Sequence, residues 1–180
     1  MKRFMAFFTS LCFLAGCSYS EPQIPAVSEL DVKKYMGKWY EYARLPNRFE
    51  KDMVNVTAFY TLNPDGRITV GNRGEKNGKV KTITGIARKA KNKAAGELEV
   101  SFFPFFYSPY RIIMLADDYR YSVVTGKECS YLWILSRTSE LSPEDRKEIF
   151  SFLKKYDLPV EKFIYPQQPL SASRGVELGK

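Results

Sequence analysis

The residue types that most often carry catalysis are scarce in this sequence of 180 residues. It contains no histidine and only three cysteines, Cys12, Cys17 and Cys129. The lack of histidine excludes Ser-His-Asp and Cys-His catalysis and the usual histidine-containing zinc sites. Cys129 stands beside Lys127 and Glu128 in a predicted turn, with no base in evidence, which favours an unpaired loop thiol. The sequence therefore predicts no catalytic residue, no metal site and no cofactor.

The chemistry that Cys17 could undergo is lipid attachment. An apolar stretch over residues 4–14, too short to span a bilayer, leads into Leu14-Ala15-Gly16-Cys17-Ser18. This is the layout of a secretory signal, and its end resembles a bacterial lipobox, where the signal is cut before a cysteine that receives acyl chains. The resemblance implies removal of residues 1–16, a lipid anchor at Cys17 and, from Ser18, a location in the bacterial outer membrane. The alternative is an ordinary signal peptide followed by an incidental cysteine.

The charge and the cysteine count of the processed chain limit its partners and its covalent bonds. Removing residues 1–16 takes away two positive charges and lowers the formal net charge from +8 to +6. This mild positive excess suits a surface that faces anionic lipid and does not imply nucleic acid. With Cys17 acylated, Cys129 has no partner for an intramolecular disulfide. The fold must therefore be held by its core.

From residue 38 to residue 136 apolar and polar residues alternate with a period of two. This pattern indicates that strands, rather than helices, position these residues. Turn signals such as Asn63-Pro64-Asp65-Gly66 and Asn77-Gly78 separate the apolar runs. Antiparallel strands joined by short hairpins most economically close on themselves, which removes exposed edges and leaves room for one small ligand. The eight predicted strands are 38–45, 53–62, 67–73, 79–88, 97–103, 110–116, 119–125 and 131–136.

A helix is predicted after the barrel. Ser142-Pro143-Glu144-Asp145 combines a capping hydroxyl, a proline in the first turn and acids near the positive end of the dipole. Apolar residues then recur at helical spacing, so one face of this helix should pack on the outer wall of the barrel, with a short ninth strand at 162–165 after it. The predicted organisation is a signal peptide (1–16), a lipid-anchored linker (17–30), an eight-stranded barrel plus helix (31–166) and a flexible tail (167–180).

Three motifs carry a resemblance to a known family. They are Gly37-Lys38-Trp39-Tyr40-Glu41 with the following Ala43 to Glu50, Asp118-Tyr119, and Leu132 to Arg137. With these motifs the chain resembles the lipocalins, and most closely the bacterial outer-membrane lipocalins related to apolipoprotein D. The resemblance implies that Arg137 lies across the ring of Trp39 beside Gly37 and closes the barrel floor. The chain departs from the family pattern at Asp117, where a threonine is usual, and at Tyr42, where an aliphatic residue is usual.

Strand parity predicts that the three motifs meet at one closed end and that the loops 46–53, 74–78, 103–109 and 126–130 surround a mouth at the other. Phe105, Phe106 and Tyr107 should form a lip of this mouth, facing an acyl chain or a membrane, unless their rings fold down over the core. The basic run from Arg88 to Lys93 falls at the closed end, as a solvated hairpin tip or as a contact to lipid phosphates. The residues predicted to line the cavity are Val56, Ala58, Tyr60, Leu98, Val100, Phe102, Tyr110, Ile112, Met114, Tyr121, Val123 and Trp133.

An apolar lining with few fixed polar groups suits a fatty acid or a lysophospholipid. The predicted partners are therefore a hydrophobic small molecule and a membrane reached through N-terminal acyl chains, but no nucleic acid, for a monomer or homodimer. Three other interpretations stay open: a bound tetrapyrrole or other small hydrophobic molecule, a lipid-modifying enzyme that uses Cys129, and a structural envelope protein whose barrel is filled.

Overall fold

The computed structural model describes residues 24–129 and 131–168. The predicted signal peptide, the anchor at Cys17 and residues 169–180 lie outside these ranges. Eight strands form a closed antiparallel barrel in which each strand pairs with the next and β8 pairs with β1. They are β1 (Gly37–Arg44), β2 (Val54–Leu62), β3 (Ile68–Lys76), β4 (Lys79–Lys89), β5 (Glu97–Phe103), β6 (Phe106–Leu115), β7 (Tyr121–Thr125) and β8 (Leu132–Ser136). The eight-stranded up-and-down barrel predicted from the sequence is confirmed.

The hairpin between β5 and β6 is tighter than predicted. Phe103 pairs with Phe106, so that Pro104 and Phe105 alone form the turn, and Phe105 has a φ of +70°. A proline followed by a positive φ is the order found in a type II turn. Pro109, taken from the sequence as a turn signal, lies within β6 opposite Glu99. The predicted loop 103–109 is therefore wrong, because a strand accepts proline wherever its N–H is not needed.

The segment before the barrel is packed rather than extended. Ile24 is almost fully buried, Val27 N donates to the Ile112 carbonyl at 2.9 Å, and Gly96 N donates to the Val27 carbonyl at 3.0 Å. A short helix, α1 (Val32–Tyr35), follows, with Asp31 accepting from two backbone amides at its start. The predicted lipid-anchored linker (17–30) therefore extends too far, because Ile24 and Val27 pack against the barrel.

The C-terminal helix α2 (Pro143–Lys155) packs on the outside of the barrel, as predicted, and Ser142 caps it by accepting from Asp145 N at 3.0 Å. Ile149 and Leu153 are buried against outward residues of the barrel such as Ile134. Short 3₁₀ turns cover Lys127–Cys129 and Val160–Lys162. Within the part of the chain that the structure describes, no helix has the length and apolar character needed to cross a bilayer.

The segment after α2 closes a seam between β1 and β2, which pair only from Gly37 to Tyr40 on the β1 side. Beyond that point Arg44 forms a bridge with Ile164, Asn55 N donates to the Gln167 carbonyl at 2.7 Å, and Gln168 Nε2 donates to the carbonyls of Glu41 and Val56. The predicted ninth strand is thus reduced to one bridge. The flexible tail cannot begin at residue 167, because both glutamines bind the barrel backbone.

Candidate functional site

The barrel interior is closed at the end where β1 begins and β8 ends, which we call the floor. Trp39 and Tyr35 are buried there, and Trp39 Nε1 donates to the Tyr35 carbonyl at 2.9 Å. The Arg137 guanidinium lies 3.8 Å from the centroid of the Trp39 ring. It also donates to the carbonyls of Lys38 at 2.8 Å and Lys34 at 2.7 Å, which ties β8 to β1 and α1. These contacts of Arg137 and Trp39 thus hold the floor shut.

Gly37 lets this arrangement form. Its φ is +90°, a conformation that a side chain would make costly, and a Cβ at this position would lie 3.6 Å from Arg137 Nη1. The residues that the sequence grouped for barrel closure, Gly37, Trp39 and Arg137, therefore lie together.

Above the floor, hydroxyl groups form a connected network. Tyr110 OH lies 2.8 Å from both Tyr35 OH and Tyr60 OH, and Tyr35 OH lies 3.3 Å from Ser122 Oγ. Burial raises the pKa of Tyr35 to about 12 and also raises the pKa values of Tyr60 and Tyr110, so these phenols remain protonated. Four hydroxyls with one proton each share three bonds, which leaves one O–H able to donate to another acceptor.

Most of the predicted lining residues do face the interior. Tyr60, Leu98 and Ile112 belong to the buried interior cluster, and Ala58, Val100, Phe102, Tyr110 and Trp133 pack against it. Val56 is buried on the same face of β2, 3.3 Å from where a Cβ on Gly74 would lie. Residues from β2, β5, β6 and β8 therefore contribute an apolar wall, with Val70 and Ala87 added by β3 and β4.

Three predicted lining residues lie on the other side of the wall. Met114, Tyr121 and Val123 contact the cluster beneath α2, and the Tyr121 hydroxyl interacts with Glu148 of that helix. A register shift between Ile112 and Met114 reverses the alternation in β6. In β7 all five residues are buried, because α2 covers the outer face, so apolar character does not tell which face is inward. Ser122 and Val124 are the inward residues.

Exposure of the inward residues rises toward the opposite end, which we call the mouth. Trp39, Tyr60 and Leu98 are buried toward the floor, whereas Val100, Phe102 and Trp133, nearer the mouth, are only partly buried and Ile83 is 42% exposed. Val56 is the exception, because it lies nearer the mouth than Ala58 on β2 and is nevertheless buried. β4 pairs with β5 only from Ile86 to Lys89 on the β4 side, so its upper half extends past its neighbour. The interior is accordingly sealed below and accessible from above.

A buried charged cluster near the mouth was missed from the sequence. Glu41 and Arg44 are 3% and 1% exposed, and Arg44 donates to the Glu41 carboxyl and to the backbone carbonyl of Glu50. Glu50 in turn accepts from Trp133 Nε1 at 2.9 Å and from Asn47 Nδ2 at 2.7 Å. A register shift between Glu41 and Ala43 turns Arg44 inward opposite Trp133. Strict alternation along β1 conceals this, because it places Arg44 on the outer face.

The cluster has one cation for two carboxyl groups. Burial raises the pKa of Glu41 to about 8, with further contributions from the Glu50 charge and from a hydrogen bond with Glu50, while Arg44 lowers it. At neutral pH Glu41 is therefore protonated: its carbonyl oxygen accepts from Arg44 and its hydroxyl donates to Glu50. The cluster is then electrically neutral, and it joins the β1–β2 loop to the inner wall.

The predicted lip residues lie at the tip of the β5–β6 hairpin. Phe105 is 96% exposed and Phe106 is 76% exposed, so these rings do not fold down over the core. Tyr107 is on the outer face, where the Arg88 guanidinium lies 3.9 Å from its ring centroid. Cys129 lies in the 3₁₀ turn between β7 and β8 and packs against the outer cluster beneath α2, away from the cavity.

Comparison with known proteins agrees with this architecture. A family model described as a lipocalin-like domain matches residues 30–168. The chain is 38% identical over 165 residues to a protein named outer membrane lipoprotein Blc of Escherichia coli strain K12, covering 89% of this chain and 93% of that protein. It is 37% identical over 168 residues to the Vibrio cholerae protein of the same name, covering 91% and 98%.

Two solved structures share the fold at lower sequence identity. The cockroach allergen Per a 4 superimposes with a TM-score of 0.66 at 25% identity, covering 81% of this chain and 92% of that chain. Insecticyanin of Manduca sexta gives a TM-score of 0.69 at 20% identity, with 83% and 86% covered, which shows likeness of fold alone.

Proposed function

Because this chain belongs to the lipocalin-like family, we propose that it is a lipid-anchored envelope protein that binds a fatty acid or a lysophospholipid inside its barrel. The ligand would serve in storage, in transport or in maintenance of the membrane.

The observation that carries the ligand class is the one-ended gradient of exposure inside the barrel. Inward side chains are buried at the floor and become accessible toward the mouth, where Phe102, Trp133 and Ile83 expose apolar surface. A single acyl chain entering from the mouth would cover this surface. Burying about sixteen methylenes at about 0.8 kcal/mol each gives a gross gain of about 13 kcal/mol, and the costs of association and ordering reduce this to micromolar affinity.

Polar groups suitable for a single head group are few. The hydroxyl network of Tyr35, Tyr60, Tyr110 and Ser122 retains one donor for an oxygen that reaches the floor. Near the mouth, Arg44 donates to Glu41 and to the backbone carbonyl of Glu50, and the Glu50 carboxylate accepts from Trp133 and Asn47, so these charged groups already have protein partners. An amphiphile with one small polar end therefore suits the interior better than a molecule with several polar groups.

The anchor is proposed at Cys17 and the location at the bacterial outer membrane. The lipobox-like Leu14-Ala15-Gly16-Cys17 supports the first, and the printed names of the E. coli and V. cholerae relatives support the second. Ile24 is the first residue that the structure describes, and six residues, or seven steps from one Cα to the next, lie between it and Cys17. Fully extended, they reach about 24 Å.

Binding can be tested through Trp133, one of only two tryptophans in the chain. Trp133 lies at the inner wall near the mouth, whereas Trp39 is sealed at the floor. We expect added lysophospholipid to change the Trp133 emission with a micromolar midpoint, and a gentle native mass spectrum of delipidated protein to show one bound molecule. A protein with neither a bound mass nor a change in emission would contradict the proposal, and a visible absorption band in the purified protein would favour a tetrapyrrole.

A pair of neighbouring substitutions on β2 supplies the control. Ala58 packs against the interior cluster, whereas Thr57 is on the opposite face of the same strand. We expect Ala58→Phe to fill part of the cavity and to weaken lysophospholipid binding at least about tenfold, and Thr57→Phe to leave it unchanged. Equal loss in both variants would place the ligand outside the barrel.

A further inference from the structure

The tip of the β5–β6 hairpin carries exposed aromatic side chains that the fold does not need. Phe105 occupies the second position of a two-residue turn at a φ of +70°, where glycine or asparagine is the favoured residue. Its side chain is nevertheless a phenyl ring that is 96% exposed. The ring adds strain to the turn and gains no packing in return, so it contributes nothing to the fold that glycine would not provide.

Other apolar rings lie at the same end of the molecule. Phe103 and Phe106 flank the turn and are 63% and 76% exposed. Phe49, in the β1–β2 loop, is also exposed and lies across the mouth, near Tyr131. We call Phe49, Phe103, Phe105 and Phe106 the aromatic rim. Clustered exposed rings of this kind mark an interaction site.

The charges around the aromatic rim are mainly positive. Arg48, Lys51, Lys79 and Lys81 are exposed on the β1–β2 loop and the β3–β4 hairpin, both of which open toward the mouth. Asp52, the exposed acid of the same loop, is paired with Lys76 at 3.7 Å. Exposed aromatic rings and lysines at the same end of a molecule are the combination that suits the interface of an anionic bilayer.

We propose that the aromatic rim inserts into an anionic bilayer surface, so that the mouth of the barrel faces the lipid directly. This proposal adds to the proposed function and does not depend on the identity of the ligand. The position of the packed N-terminal segment agrees with it, because the Ile24 carbonyl accepts from Arg111, which is six residues along β6 from Phe105. That separation is about 20 Å, within the reach of the seven residues that follow Cys17. An anchor at Cys17 therefore permits the mouth to touch the membrane.

In the proposed orientation the basic run at the floor is a solvated hairpin tip and not a contact to lipid phosphates. Lys91 and Lys93 lie in the β4–β5 turn, at the opposite end from the aromatic rim. They face away from the membrane when the mouth faces it. The two ends thus provide matched lysine pairs for a test, Lys79 with Lys81 and Lys91 with Lys93.

The orientation can be measured on the full chain mixed with vesicles whose phospholipids carry brominated acyl chains, which quench tryptophan on contact. We expect the emission added by Phe105→Trp to be quenched and the emission added by Phe59→Trp to be unaffected, because Phe59 is exposed on the outer wall of β2. Equal quenching at both positions, or none at 105, would overturn the proposal. Ligand binding is read separately through Trp133, so failure here leaves the proposed function standing.

Affinity for the surface can be measured without the anchor. The eight strands, both helices and both core clusters that the structure describes lie within residues 24–168, so a chain that starts at residue 17 with Cys17→Ser keeps all of them. On phosphatidylcholine vesicles containing phosphatidylglycerol, we expect Phe105→Gly to lower the partition coefficient about tenfold. Lys79→Gln with Lys81→Gln should lower it about 25-fold, or about fivefold for each charge, and Lys91→Gln with Lys93→Gln should not change it.

Two results of these partition measurements would overturn the proposal. One is equal loss of binding from the two lysine pairs, since that would indicate attraction by net charge alone. The other is a dimer that forms through the aromatic rim at working concentration and is abolished by Phe105→Gly, with vesicle binding unchanged. Sedimentation of the same variants distinguishes this dimer from the monomer.

Discussion

The protonated carboxyl of Glu41 leads to a prediction about stability and pH. Glu41 is buried beside Arg44 and Glu50, and its pKa is raised from 4.5 to about 8. Between these two values the folded protein holds a proton that the unfolded chain has released. The favourable contribution of Glu41 is therefore fully present below pH 4.5 and is lost as the pH rises to 8. Replacing Glu41 by glutamine, a neutral residue of the same shape, should abolish this part of the pH dependence.

The size of this stability effect follows from the shift in the pKa of Glu41. A rise of about 3.5 pKa units at 1.36 kcal/mol each sets an upper limit of about 5 kcal/mol. Loop relaxation and water entry around an ionised Glu41 reduce this to about 2–3 kcal/mol. Because the glutamine can still accept from Arg44 and donate to Glu50, we expect Glu41→Gln to match the parent at pH 4.5. At pH 8.5 it should exceed the parent by about 2–3 kcal/mol in free energy of unfolding.

Urea unfolding of both proteins across this pH range measures the difference directly. Glu99→Gln is the control, because Glu99 is a partly exposed carboxylate that accepts from Arg88 on the outer face of the barrel. Its difference from the parent should not grow between pH 4.5 and 8.5. Parallel curves for Glu41→Gln and the parent, within about 0.5 kcal/mol throughout, would refute the reasoning and show that Glu41 is ionised in the folded protein.

Three further predictions concern the floor, the rim and the seam. Arg137→Leu removes a cation–π contact and the hydrogen bonds to the carbonyls of Lys34 and Lys38. Thermal and urea unfolding should therefore show that the free energy of unfolding falls by about 2–4 kcal/mol. Arg137→Lys should recover only part of this loss. A loss below about 1 kcal/mol would mean that the floor is held without Arg137. Phe105→Gly should leave the free energy of unfolding unchanged or raise it by up to about 1 kcal/mol, because glycine adopts a positive φ without strain. A clear fall in the free energy of unfolding would show that the Phe105 ring packs in the fold. Ending the chain at residue 166 deletes the contacts of Gln167 and Gln168 with β1 and β2, and urea unfolding should show a loss of about 1–3 kcal/mol in free energy of unfolding. Gln168→Ala alone should cause about half of this loss. Full stability of both variants would contradict the role given to the seam.

The sequence predicts the barrel well because its signals are local. Alternation along β2 and β5 identifies Ala58, Tyr60 and Leu98 as inward, and turn residues such as Asn77-Gly78 lie where the strands reverse. Period and turn chemistry need no knowledge of distant residues. The same reasoning identifies α2, whose cap and apolar stripe lie within a single segment.

The errors arise where the pattern depends on distant contacts. A register shift in β6 turns Met114 outward, and the cover provided by α2 makes both faces of β7 apolar, so Tyr121 and Val123 could not be assigned from sequence. Arg44 was missed for a related reason. A charged residue in a strand is ordinarily solvated, and only the shift at Tyr42 together with Glu50 of the next loop makes its burial possible.

The seam between β1 and β2 also fixes when the barrel can be completed during synthesis. β1 begins at residue 37, yet the gap beside it is filled by Ile164, Gln167 and Gln168, more than 120 positions later. The wall therefore stays open until the end of the described chain has been made, and contacts of such long sequence separation form slowly.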